Sequence, residues 1–129
     1  MFALKKAYYR VFQAVFNIGA RLLPWRKATV VQEAGAILHI PSLLFSLGAK
    51  KPMVVTDPGL MKAGVATKVI AVLENAKVPY ALFDEVERNP SVNTVNLILE
   101  KYLSNRCDSV VAIGGGSSMD AAKAAAARV

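Results

Sequence analysis

Gly114-Gly115-Gly116-Ser117-Ser118-Met119-Asp120 is the stretch of this chain with the clearest chemical use. Three glycines let a backbone approach a ligand closely and take up angles closed to other residues. A helix starting directly after them presents unpaired N–H groups and the positive end of its dipole, which together suit a phosphate or pyrophosphate. Ser117 and Ser118 add hydroxyl groups. The same residues also allow a plain connection, because Ser117 and Asp120 have the S-x-x-D spacing of a capping box. On the residues alone both readings stand. The turn is not the G-x-G-x-x-G fingerprint, since Met119 occupies its third glycine position, and it lacks the spacing of G-x-x-x-x-G-K-[ST].

Two other places carry groups of interest. Asp57-Pro58-Gly59 reads as a turn after an apolar run, and Asn89-Pro90 closes an acidic segment. The one histidine, His39, lies among Ile37, Leu38 and Ile40, which suits a structural residue better than a metal ligand. Cys107 is the one cysteine, so the chain has no internal disulfide and no Cys/His cluster for structural zinc. A reducing, cytoplasmic setting fits that usage.

These groups need elements to position them. Pro52 to Thr56, Tyr80 to Phe83 and Ser109 to Ile113 read as buried strands, and Thr29-Val30-Val31 as a further β-rich run. Helical spacing appears from about Pro41 to Leu47 and over 64–76, where Val65, Val69, Val72 and Leu73 share a side. Ser91 can cap the next helix, with Val95, Ile98, Leu99 and Tyr102 inward. A last helix begins near Ser117. Strand alternating with helix implies right-handed crossovers and a parallel sheet covered on both faces, with ligands beyond the strands' carboxyl ends. The Asp57 turn and the glycine run then belong to one side of the molecule, with Asn89 reached by a longer loop.

Charge marks off the start of the chain. Six basic residues (Lys5, Lys6, Arg10, Arg21, Arg26, Lys27) precede residue 28 with no acid, leaving ten of the 16 basic residues against all nine acidic ones. Leu4, Tyr8, Val11, Val15, Ile18 and Leu22 recur at helical steps, and Tyr9, Phe12, Phe16 and Leu23 widen that face. Lys6, Arg10, Gln13, Asn17 and Arg21 form a polar stripe opposite, and Pro24 ends the helix. Such a helix packs on its own domain or a neighbouring subunit, or lies in a membrane surface. It has neither the uninterrupted apolar length of a span nor a small-residue cleavage site. No nucleic-acid motif accompanies the basic charge, so no nucleic-acid partner is expected.

The run GGGSSMDAAK, from Gly114 to Lys123, resembles the GGGSxxDxAK signature of iron-containing alcohol dehydrogenases. The segment Val54 to Gly64 is similar to that family's strand–Asp–turn, and Asn89-Pro90 to its NP pair. The likeness runs from about Thr29 onward. It implies an α/β fold: a Rossmann-like parallel sheet with flanking helices, incomplete here, preceded by an amphipathic N-terminal helix. Residues 1–27 would be that helix and 28–129 the NAD-binding domain.

The resemblance also implies roles. Asp57 would bind the adenosine ribose hydroxyls and repel a 2′-phosphate, favouring NAD over NADP. Gly115, Gly116, Ser117 and Ser118 would cradle the pyrophosphate. Asn89 would be a further cofactor contact, and Asp120 would lie towards the nicotinamide and the substrate. The family's reaction is hydride transfer between an alcohol or aldehyde and NAD, assisted by iron or another divalent metal. The metal's ligands, an Asp and three His, belong to a helical domain following the glycine motif. These residues alone are therefore expected to hold neither metal nor catalytic activity. A homodimer and peripheral membrane contact by the first helix remain open. So do the glycerol dehydrogenase or dehydroquinate synthase branch and a non-catalytic nucleotide-binding or docking remnant.

Overall fold

The computed structural model describes residues 2–22 and 28–129. It divides into two units, Met1–Gln32 and Glu33–Val129. In the first unit, α1 runs over Phe2–Leu22. Tyr8, Val11, Val15 and Ile18 are exposed on it, as are Phe12 and Phe16, and so is the basic stripe of Lys6 and Arg10. Leu23, Pro24, Arg26 and Lys27 lie outside the described residues, as do the side chains of Leu4, Arg21 and Leu22. No helix among the described residues is long and apolar enough to cross a membrane.

The second unit is organised by β1, Pro52–Val55, the middle strand of a three-stranded sheet. On one side it pairs in parallel with β2, Ala81–Phe83, through Met53 with Ala81 and Val55 with Phe83. On the other it pairs in parallel with β3, Ser109–Ala112, through Val54 with Val111. A central parallel strand is covered on both faces, which is why Pro-Met-Val-Val is apolar without alternation. Side chains nevertheless alternate in direction. Met53 and Val55 enter a core with Phe83, Ile98, Tyr102 and Ala121. Val54 points the other way, against Leu44 and Leu73.

The helices supply those partners. α2 (Ile40–Ser46) follows a single 3₁₀ turn, Ala36–His39, and contributes Leu44. α4 (Val65–Asn75) buries Ala66, Val69, Ile70 and Leu73, the i, i+3, i+4, i+7 pattern of a helix face. On the opposite side α5 (Val92–Ser104) buries Thr94, Ile98 and Tyr102. α6 (Gly116–Ala126) buries Ser118, Ala121, Ala122 and Ala125, and these small side chains let it sit close to the sheet and α5. Ser91 caps α5 as its sequence position implies, accepting from the Thr94 amide at 3.2 Å.

Four sequence expectations are corrected in detail. Residues 28–32 hold no strand, because Thr29-Val30-Val31 finds no ladder partner among the described residues and Val30 is exposed. Val65 is also exposed: the inward face of α4 is rotated towards Ala66 and Ile70. Asp57-Pro58-Gly59 is not a free turn but the start of a short helix, α3 (Pro58–Lys62), with Asp57 at its N-cap and proline at the first position. Finally, α6 starts at Gly116 with Gly115 as N-cap, so Ser117 and Asp120 form no capping box.

Candidate functional site

Beyond the carboxyl ends of the three strands lies a cleft of about 610 Å³. Its walls come from three connections. β1 leads into Asp57, Pro58 and Gly59; β2 into Glu85, Val86, Glu87 and Arg88; and β3 into Gly115, Gly116, Ser117 and Ser118. A parallel sheet places every strand-to-helix connection of this kind on one side, and the cleft is where they meet.

The glycine turn is shaped by two different demands. Gly114 has φ +145°, and a Cβ there would stand 2.7 Å from Ser118 Oγ and 3.2 Å from a Leu60 methyl. Glycine is required at that point by backbone angle and close packing together. Gly115 and Gly116 differ, since a Cβ on either meets nothing within 4 Å. The space beside them is open to the cleft.

The start of α6 is left available as well. Met119 N–H reaches Gly115 O at 3.1 Å, the first backbone bond of the helix. The amides of Gly116, Ser117 and Ser118 precede it, and no side chain caps them. Three first-turn N–H groups beside open space, on an eleven-residue helix with its dipole behind them, make a cradle suited to a phosphate.

Asp57 stands across from that cradle and is held from two directions. Its Oδ1 accepts the Leu60 amide at 3.0 Å, capping α3, and Ser118 Oγ donates to Oδ2 across 3.5 Å. Each carboxylate oxygen retains capacity for a further donor, such as a ribose hydroxyl. Ser118 is buried and turned towards Asp57. Ser117 does something its sequence position does not announce: its hydroxyl donates to the carbonyl of Arg88. It fastens the loop after β2 to the glycine turn.

That loop carries residues that sequence reasoning missed. Glu87 Oε1 accepts from Thr94 Oγ1 at 2.7 Å and from the Ser91 amide at 3.4 Å. The Thr94 hydroxyl first, then the Ser91 hydroxyl and amide, hold the Glu87 carboxyl below its usual range. The signal was present in the acidic run Asp84-Glu85-Val86-Glu87, which directly follows a strand's carboxyl end. Of the seven cofactor residues expected from sequence, the structure brings Asp57, Gly115, Gly116, Ser117 and Ser118 to the cleft. Asn89 and Asp120 are exposed and lie outside its walls.

His39 is half exposed, with Nε2 2.7 Å from Glu33 Oε1, as suits a structural residue. Among the described residues no three His, Cys, Asp or Glu side chains gather as a metal site. The described residues therefore offer no ligand set for a metal ion.

A parallel sheet flanked by helices, with a glycine turn and a carboxylate meeting at a cleft beyond its strands' carboxyl ends, defines an α/β protein of Rossmann-like fold. The family model of iron-containing alcohol dehydrogenase matches residues 27–129, and the chain belongs to that family. A choline dehydrogenase of Bacillus subtilis is 48% identical over 97 residues, covering 74% of this chain and 24% of the relative. A 4-hydroxybutyrate dehydrogenase of Cupriavidus necator is 39% identical over 89 residues, 69% of this chain and 23% of the relative. The crystal structure of a 1,3-propanediol oxidoreductase superposes with TM-score 0.67 at 37% identity, covering 70% of this chain and 24% of that one. A sulfoacetaldehyde reductase of Bifidobacterium kashiwanohense, solved in complex with NAD+, superposes with TM-score 0.65 at 29% identity, over 80% of this chain and 28% of that one. The chain spans about a quarter of the length of these relatives.

Proposed function

We propose that residues 28–129 are the dinucleotide-binding part of an NAD-dependent oxidoreductase that moves hydride between a small alcohol and its aldehyde, with residues 1–27 a separate helical segment. The observation that carries this reading is the pairing, across one cleft, of Asp57 with the uncapped start of α6 and two glycines open to the space between. The names of the relatives, dehydrogenases and reductases of small hydroxy and carbonyl compounds, support the reaction class.

Bound NAD supplies the hydride acceptor or, when reduced, the donor. What these residues contribute is binding and orientation. The amides of Gly116, Ser117 and Ser118 take a pyrophosphate oxygen, and Asp57 takes the ribose hydroxyls. Ser118, buried beneath the turn, steadies the Asp57 carboxylate. A carboxylate at the ribose also disfavours a 2′-phosphate by charge repulsion, so NADH is preferred to NADPH.

Gly115→Val provides the test. Its side chain enters open space, so the fold is expected to survive with an unchanged melting temperature. NADH affinity, read by fluorescence titration of the full chain, should fall by tenfold or more, ~1.4 kcal/mol. Undiminished binding by a folded Gly115→Val variant would remove the glycine turn from the site.

A further inference from the structure

The cleft's charge is at odds with the ligand proposed for it. Its walls carry three carboxylates, Asp57, Glu85 and Glu87, whereas a dinucleotide brings a pyrophosphate with a negative charge on each phosphate. The dipole of α6 supplies about half a positive charge at its start. Among the described residues, one cationic side chain lines the cleft, Arg88.

Arg88 is fixed at its backbone and free at its side chain. Ser117 donates its hydroxyl to the Arg88 carbonyl, which ties the residue to the turn expected to hold the pyrophosphate. The loop is secured a second time by Glu87, through Thr94 and Ser91 of the α5 cap. The Arg88 guanidinium, by contrast, makes no hydrogen bond or ion pair with any described residue. An anchored main chain with an uncommitted guanidinium, next to an anion cradle, suits bidentate pairing with a phosphate.

Resting on the dinucleotide reading above, we propose that Arg88 is the residue whose charge pairs with the pyrophosphate of the bound cofactor, and that Ser117 is a positioning residue that holds Arg88 there. Ser117 thus serves the cofactor through its amide and through the neighbouring loop, with its hydroxyl hydrogen directed to protein. Arg88 acts on a group common to NADH and NADPH, whereas Asp57 acts on the ribose that distinguishes them.

The experiment titrates the full chain and its R88A and R88K variants with NADH and with NADPH, following nucleotide fluorescence and melting temperature. R88A should weaken both nucleotides by a similar factor of about tenfold. R88K should recover part of the loss, as a point charge lacking the fork. Because Ser117 uses the carbonyl, R88A should melt as the parent does. Parent-like NADH binding by R88A overturns the proposal and leaves the dinucleotide reading standing. Loss confined to NADPH also overturns it, placing Arg88 at a 2′-phosphate. If the parent chain binds neither nucleotide, the dinucleotide reading fails and this inference fails with it.

Discussion

Asp57 has a structural role beside the one proposed for it. It caps α3 through one oxygen and faces Ser118 with the other. Asp57→Asn keeps a good N-cap while removing the charge. The variant should hold its melting temperature and lose preference for NADH over NADPH by about tenfold, measured as the ratio of the two dissociation constants. An unchanged ratio would mean that the carboxylate does not sense the ribose 2′ position. Thr56, one residue earlier, offers a structural counterpart. It is fully buried, and its hydroxyl has no hydrogen-bond partner among the described residues, although its amide donates to Phe83 O at 2.8 Å. Thr56→Val keeps the β-branched shape and relieves an unsatisfied hydroxyl, so thermal denaturation should show equal or higher stability. At this scale the sequence was legible where chemistry is local. Three glycines before a helix announce a turn whose backbone lies open, as Gly115 and Gly116 do, and Ser91 announces a cap. The sequence offers the Ser117 hydroxyl as a ligand donor or a cap acceptor, and its partner in the structure, the Arg88 carbonyl, lies 29 residues away, beyond the reach of local spacing.

The elements were legible for the same reason that they are stable. The strands at Pro52, Ala81 and Ser109 are short apolar runs, and α4 and α5 repeat their apolar positions at helical spacing. Ile98, fully buried between α5 and the sheet, should cost about 2–5 kcal/mol when changed to Ala, read by denaturant unfolding. Ser91→Ala should cost about 1 kcal/mol by the same measurement, through the lost cap of α5. Sequence reading failed where an element depends on partners it cannot see. Thr29-Val30-Val31 has the composition of a strand but no neighbouring ladder among the described residues. α3 is too short to show a period, and only its Asp-Pro start betrays it. Charge runs usually mark solvated surface, yet topology brings the acidic loop after β2 to the cleft wall.

Across the whole molecule, the two ends of the sheet do different work. At the strands' amino ends Asp108 accepts the amides of Lys50 at 2.7 Å and Lys51 at 3.0 Å, joining the approaches to β1 and β3. Those bonds, that of Lys50 first, hold its carboxyl below the usual range, as the Thr94 and Ser91 bonds do for Glu87. A depressed folded value means that this stabilisation is present above the unfolded pKa and is lost as pH falls through the folded one. Melting temperature should therefore decline with acidification through the carboxylate range, and Asp108→Asn should flatten that decline. The carboxyl ends carry the cleft, the part on which the family's dinucleotide reading rests. The most direct test is an NMR titration of the full, isotope-labelled chain with NADH, following backbone amides. The account predicts saturable shifts at Gly115, Gly116, Ser117 and Ser118, with Asp57 and Arg88 moving on the same curve and Lys50 and Asp108 unmoved. Saturable shifts confined to other residues, or none at the glycine turn, would contradict it.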